Sequence, residues 1–517
     1  MTQQAGMSEL AAVVMALSAA AGALAARPLP AGLAALVILG ALAARQTALL
    51  CLGVALAASG LAARSWAGLR PAEPRSVGTT VTLVTDPTDV AGALRVDVRL
   101  EGKRVEVWAR GRAAGRLRSR LAGERVVLSG HLAPIPESER RRVAPRHITA
   151  RMSAEHVELA SAGSWPSAFV NRVRRALLRG AEVLPAERRS LFSGFVLGDD
   201  RGQPPEITYD FRASGLTHLL VVSGQNVAFV LAVAAPLLRR LTLRSRMVAG
   251  FAVLALFGTL TRWEPSVIRA VAMAGVALLA GTLGRPTSTL RILSLAVAGL
   301  LLIDPLLVHS VGFRLSAGAC AGIALWSRTL SAALPGPRPV AEALGVTLAA
   351  QAGVAPILIP TFGGVPVVSL LANLLALPAA GPVMIWGMAA GFPAGLVGGT
   401  IAGVLHIPTR LLLAWVAGVA RVAASLPLGQ LGLVHLAVLA GAAALFVWSR
   451  RSGRPAGARL ALAASIAVLL APAAAVVRPS PADARPVGRG ATLWRAGGAT
   501  VVVLDDARAS PDRLLGE

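Results

Sequence analysis

Long apolar stretches, separated by short polar segments, follow one another along most of the chain. Many of them approach the roughly 20 residues that a helix needs to cross a bilayer. Their recurrence predicts a polytopic α-helical membrane protein, with the stretch 394–407 as a re-entrant or interfacial piece. The predicted spans are residues 10–26, 29–44, 47–63, 216–238, 247–262, 266–283, 290–308, 311–326, 342–360, 366–391, 409–426, 433–449 and 459–477.

The pattern changes between residues 64 and 165, where apolar and polar positions alternate. In "ALRVDVRLEGKRVEVWARG", Val96 and Val98 alternate with charged residues, as do Val105 and Val107, and "EGKR" between the two runs favours a hairpin. Further runs of this kind are "TTVTLVTD", "ERVVLSGHL" and "ITARMSAEHVELA". Five short, half-buried strands predict a small all-β domain, and an oligonucleotide-binding (OB) type of barrel is one form that fits.

The segment after this insert has the pattern of an amphipathic helix. In "AFVNRVRRALLRGAEVL", residues 168–184, apolar side chains recur on one helical face and arginines fall mostly on the other. A basic helix of this kind is typical of an element that lies in the membrane interface and contacts lipid headgroups. The apolar positions are Phe169, Val173, Ala176, Leu177 and Leu184, and the basic ones are Arg172, Arg174, Arg175 and Arg179.

These patterns divide the chain into six regions. Arginines concentrate in short loops such as 239–246 and 450–454, which the positive-inside rule places in the cytoplasm. Counting spans from these loops makes the β-domain extracellular and places the tail outside the cell as well. The regions are N-terminal transmembrane helices at 1–63, the β-domain at 64–165, the interfacial helix at 166–186, a large transmembrane domain at 187–450, a last transmembrane helix at 451–478 and the tail at 479–517.

Composition agrees with a membrane protein and narrows the chemistry. Of the 517 residues, 55% are hydrophobic and only 15% are charged, and the formal net charge is +25. That excess of arginine attracts phosphates and anionic lipid headgroups. Lys103 is the sole lysine, so there is no GxxxxGK[ST] phosphate-binding loop and no recognisable ATPase. Cys51 and Cys320 both lie in apolar spans, which leaves the β-domain without a disulfide and the chain without a CxxC zinc motif.

One predicted span, which contains "GLTHLLVVSGQNVAF", is unusually polar. Polar groups are costly in a bilayer and usually face a partner, a cavity or a water-filled path. One continuous helix would align Ser214, His218 and Gln225 on one face, and the Ser223–Gly224 pair is a common place for a helix to kink. Two interpretations stay open: these groups line a cavity, or they hydrogen-bond to neighbouring helices. A nucleophilic Ser223 with His218 as its base is less favoured, because no oriented carboxylate is evident.

Other polar positions complete the set of candidate site residues. Within the predicted spans or near their ends, these are Asp199, Asn226, Arg269, Arg314, Gln351 and Asn373. In the β-domain, "RGRAAGRLRSR" offers a loop that would bind a DNA phosphate backbone, although such a run is as often simply solvated. The arginines of this run are Arg110, Arg112, Arg116, Arg118 and Arg120.

Several motifs, in their order along residues 187–390, resemble the competence domain of the ComEC family of bacterial DNA-uptake channels. They are "VLGDDRG", "YDFRASGLTHLLVVSGQNV", "PSVIRAVAMAGVALLAGTLGR", "DPLLVHSVGFRLSAGACAGI" and "AAQAGVAPILIPTFGGVPVVSLLANLLALP". The β-domain is similar to the extracellular OB-like loop of that family. The resemblance implies a multi-pass channel in the bacterial inner membrane that passes single-stranded DNA during natural transformation, with an extracellular DNA receptor and a cytoplasmic ATP-driven translocase as partners. It also implies importance for Asp199, His218, Ser223, Gly224, Arg269, Phe313 and Arg314.

Two departures from the family pattern limit these implications. The family often has "SGLHV" where this chain has "SGQNV", so Asn226 replaces a second histidine and weakens the case for a metal site in the membrane. The tail "ATLWRAGGATVVVLDDARASPDRLLGE" resembles only the first strands of the metallo-β-lactamase-like domain that many members carry, without an HxHxDH-type ligand cluster. We therefore expect no nuclease activity, catalytic residue, metal or cofactor in this chain. The alternatives are a secondary transporter of a small anionic substrate and, less favoured, an intramembrane hydrolase.

Overall fold

The structure is a computed structural model that describes residues 8–90, 92–220, 224–285, 287–452, 455–477, 483–486, 491–496 and 499–504. The chain divides into two compact units. The larger unit consists of residues 1–208, 217–357 and 374–418, and the smaller of residues 209–216, 358–373 and 419–517.

Three helices precede the β-domain in the larger unit: α1 (Glu9–Ala25), α2 (Ala31–Ala44) and α3 (Thr47–Gly68). α1 begins after Ser8, whose hydroxyl accepts a hydrogen bond from the Ala11 amide at 3.1 Å, as N-cap serines do. α1 and α3 approach closely because Gly22 has no side chain: a Cβ there would lie 2.1 Å from the Ala55 carbonyl oxygen. Small residues allow this close packing between membrane helices.

The β-domain is a closed barrel. Its strands pair in the order β1-β5-β6-β4-β3-β2, and an additional pairing of β1 with β3 closes the barrel while β2 stays at its edge. β4 and β6 run parallel, and the other neighbours run antiparallel. A helix connects β4 to β5, which completes the OB arrangement that the sequence predicted. The elements are β1 (Arg75–Leu83), β2 (Thr88–Val90), β3 (Ala93–Leu100), β4 (Lys103–Ala109), α4 (Gly111–Arg118), β5 (Arg125–Pro134), α5 (Glu137–Val143) and β6 (Ile148–Ser161).

The predicted hairpin is confirmed between β3 and β4. Its turn consists of Glu101 and Gly102, whose φ angles are 50° and 80°. A two-residue turn of this kind matches the twist of the strands and sets their register, which places Val98 opposite Val105. The alternating apolar positions therefore point into the barrel, whose buried core also includes Val81, Leu83, Leu117, Val126, Leu128, Leu132 and Met152.

Fifteen further helices can be followed in the described residues. They are α6 (Trp165–Gly180), α7 (Ala186–Leu197), α8 (Pro205–Ala213), α9 (Thr217–Leu220), α10 (Gly224–Leu238), α11 (Leu243–Leu260), α12 (Pro265–Thr282), α13 (Thr289–Ile303), α14 (Val311–Ala333), α15 (Arg338–Phe362), α16 (Ser369–Val397), α17 (Gly399–Leu405), α18 (Ile407–Ser425), α19 (Leu433–Arg451) and α20 (Pro455–Val477).

The helical content and length confirm a multi-pass membrane protein with a small β-domain. Within the described part of the chain, six helices are long and apolar enough to cross a membrane, namely α3, α11, α12, α15, α16 and α18. The helices α1, α2, α10 and α13 are apolar but shorter. The stretch 394–407 contains α17, whose seven residues extend only about 10 Å and therefore cannot cross a bilayer.

The basic helix α6 departs from its expected pattern at one position. Arg174, expected among the outward arginines, is only 1% exposed. The reason is visible in the spacing: Val170, Arg174 and Leu177 share one helical face, and that face packs inward. Arg174 can be buried there because carboxylates surround its guanidinium, so its outward placement in the sequence prediction is wrong.

The smaller unit contains two small sheets. β7 (Val365–Pro366) pairs with β8 (Gln430–Leu431), and α19 packs along α20. In the tail, β9 (Asp483–Pro486), β10 (Ala491–Ala496) and β11 (Ala499–Leu504) form an antiparallel sheet in the order β11-β10-β9. The rest of the predicted tail, residues 479–482, 487–490, 497–498 and 505–517, lies outside the described residues.

Candidate functional site

Five charged residues form a buried charge cluster within the larger unit: Asp86, Arg174, Asp199, Arg201 and Arg262. Arg174 donates from Nη2 to Asp86 at 2.9 Å and to Asp199 at 3.2 Å. Arg262 donates to both carboxylate oxygens of Asp86, at 3.1 Å and 3.0 Å. Arg201 forms a two-point pair with Asp199, at 2.7 Å and 2.5 Å. Two-point arginine–carboxylate pairs are among the strongest charged hydrogen bonds in proteins.

This cluster joins four segments of the larger unit. Asp86 lies in the loop after β1, Arg174 on α6, Asp199 and Arg201 between α7 and α8, and Arg262 shortly after α11. Arg174 also donates to the Leu260 carbonyl at the end of α11. The β-domain is therefore fixed by charge pairs to the end of a membrane helix.

The electrostatics of the cluster favour the ionised carboxylate of Asp86. Burial alone would raise the pKa of Asp86, but the charges of Arg174, Arg262 and Arg201 outweigh it and lower that pKa. Asp200, next in the chain to this cluster, shows the opposite direction: burial and the neighbouring Asp199 carboxylate raise its pKa. The pKa values of Asp86 and Asp200 thus shift in opposite directions, because three arginine charges act on Asp86 whereas a neighbouring carboxylate acts on Asp200.

A second charged surface is the outer face of strands β3 and β4, called here the β3–β4 face. It carries Arg95, Asp97 and Arg99 on β3 and Arg104, Glu106 and Trp108 on β4, all pointing away from the barrel core. Arg146 and Arg151 lie over its centre: Arg146 bonds to Asp97 at 2.9 Å and to Glu106 at 2.5 Å, and Arg151 bonds to Glu106 at 3.0 Å. Arginines outnumber carboxylates on this surface, so it keeps a positive charge.

Hydrogen bonds keep the buried carboxylate of Glu106, at the centre of the β3–β4 face, ionised. Burial would raise the pKa of Glu106, but hydrogen bonds from Arg146 and from the Trp108 indole, at 2.9 Å, lower it to about 2. The pKa of Asp97 is raised, because burial outweighs the attraction of Arg146. The Arg151 guanidinium also lies 5.7 Å above the Trp108 ring, within the range of a cation–π contact.

The helix expected to carry Ser214 together with His218 and Gln225 is interrupted before residue 216. α8 ends at Ala213, and Gly215 adopts a φ of 74°, the left-handed conformation that commonly ends a helix. Ser214 precedes this turn and donates its hydroxyl to the Phe211 carbonyl at 3.3 Å. The expected alignment of Ser214 with His218 and Gln225 on one helix is therefore wrong.

The remaining residues of that segment fall on two helices. His218 lies on the four-residue α9 and is exposed, and Gln225, on the first turn of α10, is exposed as well. Asn226 is buried and donates to the Phe195 carbonyl at 3.2 Å. Ser223, a central residue of the predicted site, lies outside the described residues.

Arg269 is a buried cation on the membrane helix α12. Its Nε donates to Ser316 Oγ on α14 at 2.8 Å, and its Nη1 lies 2.8 Å from Met273 Sδ and 3.0 Å from Cys320 Sγ. A Cβ at Gly224 would lie only 2.6 Å from Arg269 Nη2. The structure thus brings together two predicted site residues, Gly224 and Arg269. The described hydrogen-bond partners of the Arg269 guanidinium are all neutral.

The other predicted residues do not join this group. Asp199 belongs to the buried charge cluster, Gln351 is half-buried on α15, and Arg314 is exposed on the first turn of α14. Asn373 lies in the smaller unit, where its side chain donates to the Ser369 carbonyl at 2.8 Å. Within the described residues, no group of three or more His, Cys, Asp or Glu side chains is placed to hold a metal ion.

The arginine run at 110–120 is a short helix and not a loop. Ala113, Ala114 and Leu117 form the apolar side of α4 and are buried in the barrel core, which explains the helix. The arginines consequently lie outside. Arg116 donates to the Val157 carbonyl at 2.8 Å, Arg118 pairs with Asp89 at 3.1 Å, and Arg120 donates to the Arg116 carbonyl at 3.3 Å, while Arg110 and Arg112 are exposed.

Sequence reasoning missed the charge cluster, apart from Asp199, and the β3–β4 face. One signal was present: Arg174 follows Val170 by four residues and precedes Leu177 by three, so it occupies an apolar face. Its carboxylate partners come from distant segments and give no local signal. Alternation in β3 and β4 also placed charges on the outer face of the barrel, and this was the local signal for the β3–β4 face.

Comparison with known proteins identifies the family to which the chain belongs. The family model described as "Competence protein" matches residues 195–453. The "Uncharacterized protein YcaI" of Escherichia coli (strain K12) is 29% identical over 208 residues, which cover 38% of this chain and 28% of that protein. The "ComE operon protein 3" of Bacillus subtilis (strain 168) is 28% identical over 202 residues, covering 38% of this chain and 25% of that protein. The chain thus matches about a quarter of the length of these relatives, and no solved structure matches it.

Proposed function

This chain belongs to the competence protein family, and on that premise we propose that it is a channel in the bacterial inner membrane that passes single-stranded DNA into the cytoplasm during natural transformation. One observation carries the proposal: an OB-type barrel is joined by buried ion pairs to the end of a membrane helix. OB barrels bind oligonucleotides through the face of their second and third strands and through the loops between strands 1 and 2 and between strands 4 and 5. Because the short β2 lies at the edge, β3 and β4 are the second and third strands of this barrel. A small anionic substrate needs no surface of that extent.

The β3–β4 face is the part of the barrel that we assign to DNA. Its arginines, Arg95, Arg99 and Arg104 among them, supply the positive charge that a phosphate backbone requires. Trp108 adds an aromatic ring, and stacking of a base on such a ring contributes about 1–3 kcal/mol. The exposed arginines of α4 would extend this positive surface, as the sequence suggested.

The ends of the membrane helices support an extracellular β-domain. The β-domain contacts Arg262, after α11, and Asp304, after α13, where His147 Nε2 lies 2.9 Å from the carboxylate. The arginine-rich segment 239–246 lies at the opposite end of α11, a helix of 18 residues that extends about 27 Å. Because arginine-rich short loops face the cytoplasm, the β-domain would face the outside.

Within the membrane, we assign the DNA path to the polar residues of α9, α10 and α12. Arg269 offers a positive charge whose described partners are neutral, which suits the passage of phosphates. Gln225 and Asn226 offer amides directly after Gly224, which lies against the Arg269 guanidinium. An outer DNA receptor and a cytoplasmic ATP-driven translocase would supply DNA and the driving force, since the chain contains no P-loop. The remaining predicted path residues are Asp199, His218, Ser223, Gly224, Arg314, Gln351 and Asn373.

The proposal is tested in the native host by deleting the gene and restoring it as wild type, as His218→Ala or as His156→Ala. His156 is an exposed histidine on β6 and serves as the matched control. Labelled double-stranded DNA is scored separately as surface-bound and as internalised, nuclease-protected material. We expect the deletion and His218→Ala to keep surface binding and lose internalisation, and His156→Ala to keep both. Unchanged internalisation after deletion would reject the channel and favour transport of a small anion.

A further inference from the structure

A groove of about 570 Å³ opens between α6 and two loops of the β-domain, apart from the surfaces assigned to DNA. This volume is within the range of about 300–1,000 Å³ that is usual for ligand pockets. The loops are residues 121–124, before β5, and residues 162–164, after β6.

The two loops beside this groove pack closely against each other and against α6. Gly123 and Gly163 have φ angles of 87° and 81°, and a Cβ on Gly163 would lie 1.8 Å from the Gly123 carbonyl oxygen. The two loops therefore touch through their backbones. Asn171, buried on α6, donates its side-chain amide to the Ala122 carbonyl at 3.0 Å and holds the helix against them.

Positive charge lines one wall. Arg172, Arg175 and Arg179 follow one another at spacings of three and four residues, so they lie along one side of α6. Arg175 pairs with Glu124. Among the described residues, neither Arg172 nor Arg179 forms an ion pair, so two guanidinium groups are available to an anion.

A buried carboxylate lies beside this row of arginines. Glu124 is 3% exposed, and within the described part of the chain no donor bonds to its Oε2 atom. Arg120 Nη1 lies 3.9 Å from that oxygen, beyond hydrogen-bonding distance. A buried charged oxygen without a donor is costly, so it favours a ligand that brings an N–H group. Exposed Glu182 adds a second carboxylate to the groove.

The groove lies at the depth of lipid headgroups. Arg174 of the same helix donates to the carbonyl of Leu260, the last residue of the membrane helix α11. Two aromatic side chains of α6, Trp165 at 82% and Phe169 at 49%, are exposed. Exposed aromatic residues at the end of a membrane span are typical of the bilayer interface.

We propose that this groove binds the headgroup of a phospholipid that carries both a phosphate and a primary ammonium group, as phosphatidylethanolamine does. The phosphate binds Arg172 and Arg179, and the ammonium donates to Glu124 Oε2. Phosphatidylglycerol brings the phosphate without a cation, and phosphatidylcholine brings a cation without an N–H donor. Neither headgroup can pair with both the arginines and Glu124. The groove therefore selects a headgroup by its chemical groups and not only by its net charge.

The experiment uses the purified full chain, incorporated into vesicles with equal amounts of phosphatidylethanolamine, phosphatidylglycerol and phosphatidylcholine and then analysed for retained lipid by native mass spectrometry. We expect phosphatidylethanolamine to be retained in excess. The variant R172Q/R179Q should bind it about 25-fold more weakly, at about fivefold for each arginine near a lipid surface. R110Q/R112Q has the same change in net charge outside the groove and should retain the lipid as the wild type does.

Two further variants test whether the carboxylates of the groove bind the ammonium group of the lipid. E124Q should lose the preference for phosphatidylethanolamine over phosphatidylglycerol, and E182Q, exposed and harmless to folding, should reduce it. Equal retention of the two lipids by the wild type would overturn the proposal, as would R172Q/R179Q that retains lipid like R110Q/R112Q. Displacement of the retained lipid by a single-stranded oligonucleotide would also overturn it and assign the groove to DNA.

Discussion

Replacing Arg174 by alanine tests whether the buried charge cluster holds the β-domain on the membrane helices. Arg174 donates hydrogen bonds to the Asp86 and Asp199 carboxylates and to the Leu197 and Leu260 carbonyls. Removing one partner of a buried ion pair costs about 3–5 kcal/mol, because the other charge stays buried without compensation. Each aspartate here keeps a second arginine, so we expect the lower end, about 3 kcal/mol, or roughly a hundredfold in the opening equilibrium.

Hydrogen exchange of the purified full chain measures this opening directly. In Arg174→Ala, the amides of loops 84–87 and 198–203 should exchange roughly a hundredfold faster, because local opening exposes them. Arg172→Ala is the matched control: it lies two positions away on α6, is exposed, and should change stability by at most about 0.5 kcal/mol. If Arg174→Ala and Arg172→Ala show the same protection in these loops, the cluster does not hold the two parts together and the reasoning fails.

Other predictions address the channel, the barrel face and the pH dependence. Arg269→Ala and Gly224→Val should each abolish DNA internalisation while leaving surface binding unchanged. The first removes the buried cation, and the second places a side chain against its guanidinium. Retained internalisation in both variants would exclude this site from the DNA path. Arg99→Gln should weaken binding of a single-stranded oligonucleotide and reduce the slope of log affinity against log salt by about 0.7, and an unchanged slope would exclude Arg99 from phosphate contact. The pKa of Glu106 falls from 4.5 to about 2 on folding, so its stabilisation, about 3 kcal/mol, is present above pH 4.5 and lost as the pH falls toward 2. The difference in unfolding free energy between the wild type and Glu106→Gln should therefore shrink over that range, and a constant difference would contradict the assignment.

The β-domain was predictable because its signals are local. Val96, Val98, Val105 and Val107 alternate with polar residues, and the turn between the two runs lies where strand pairing requires it. Five of the six strands and the hairpin follow from this pattern, whereas the three-residue strand β2 was not predicted. The pattern does not report which non-neighbouring strands pair, so the closing contact of β1 with β3 came only from the structure.

The site was less predictable because its contacts connect distant segments. Asp86 pairs with Arg174 across 88 residues and with Arg262 across 176, distances over which hydrophobic periodicity carries no information. The prediction of one helix across the polar segment was wrong for a different reason. A single glycine, Gly215, ends the helix and separates Ser214 from His218, although the spacing of their side chains fits one helix.

The long separation between Asp86 and Arg262 also orders events during synthesis. At about 5–20 residues per second, a ribosome adds Arg262 about 9–35 s after Asp86. All strands of the barrel are complete at Ser161, well before α11 is made. A nascent chain that stops between α6 and α11 should therefore carry a folded barrel that is tethered only by its neighbouring helices. Attachment of the barrel, rather than its folding, is then the last step of assembly in this region, and it waits for the insertion of a helix from the next part of the chain.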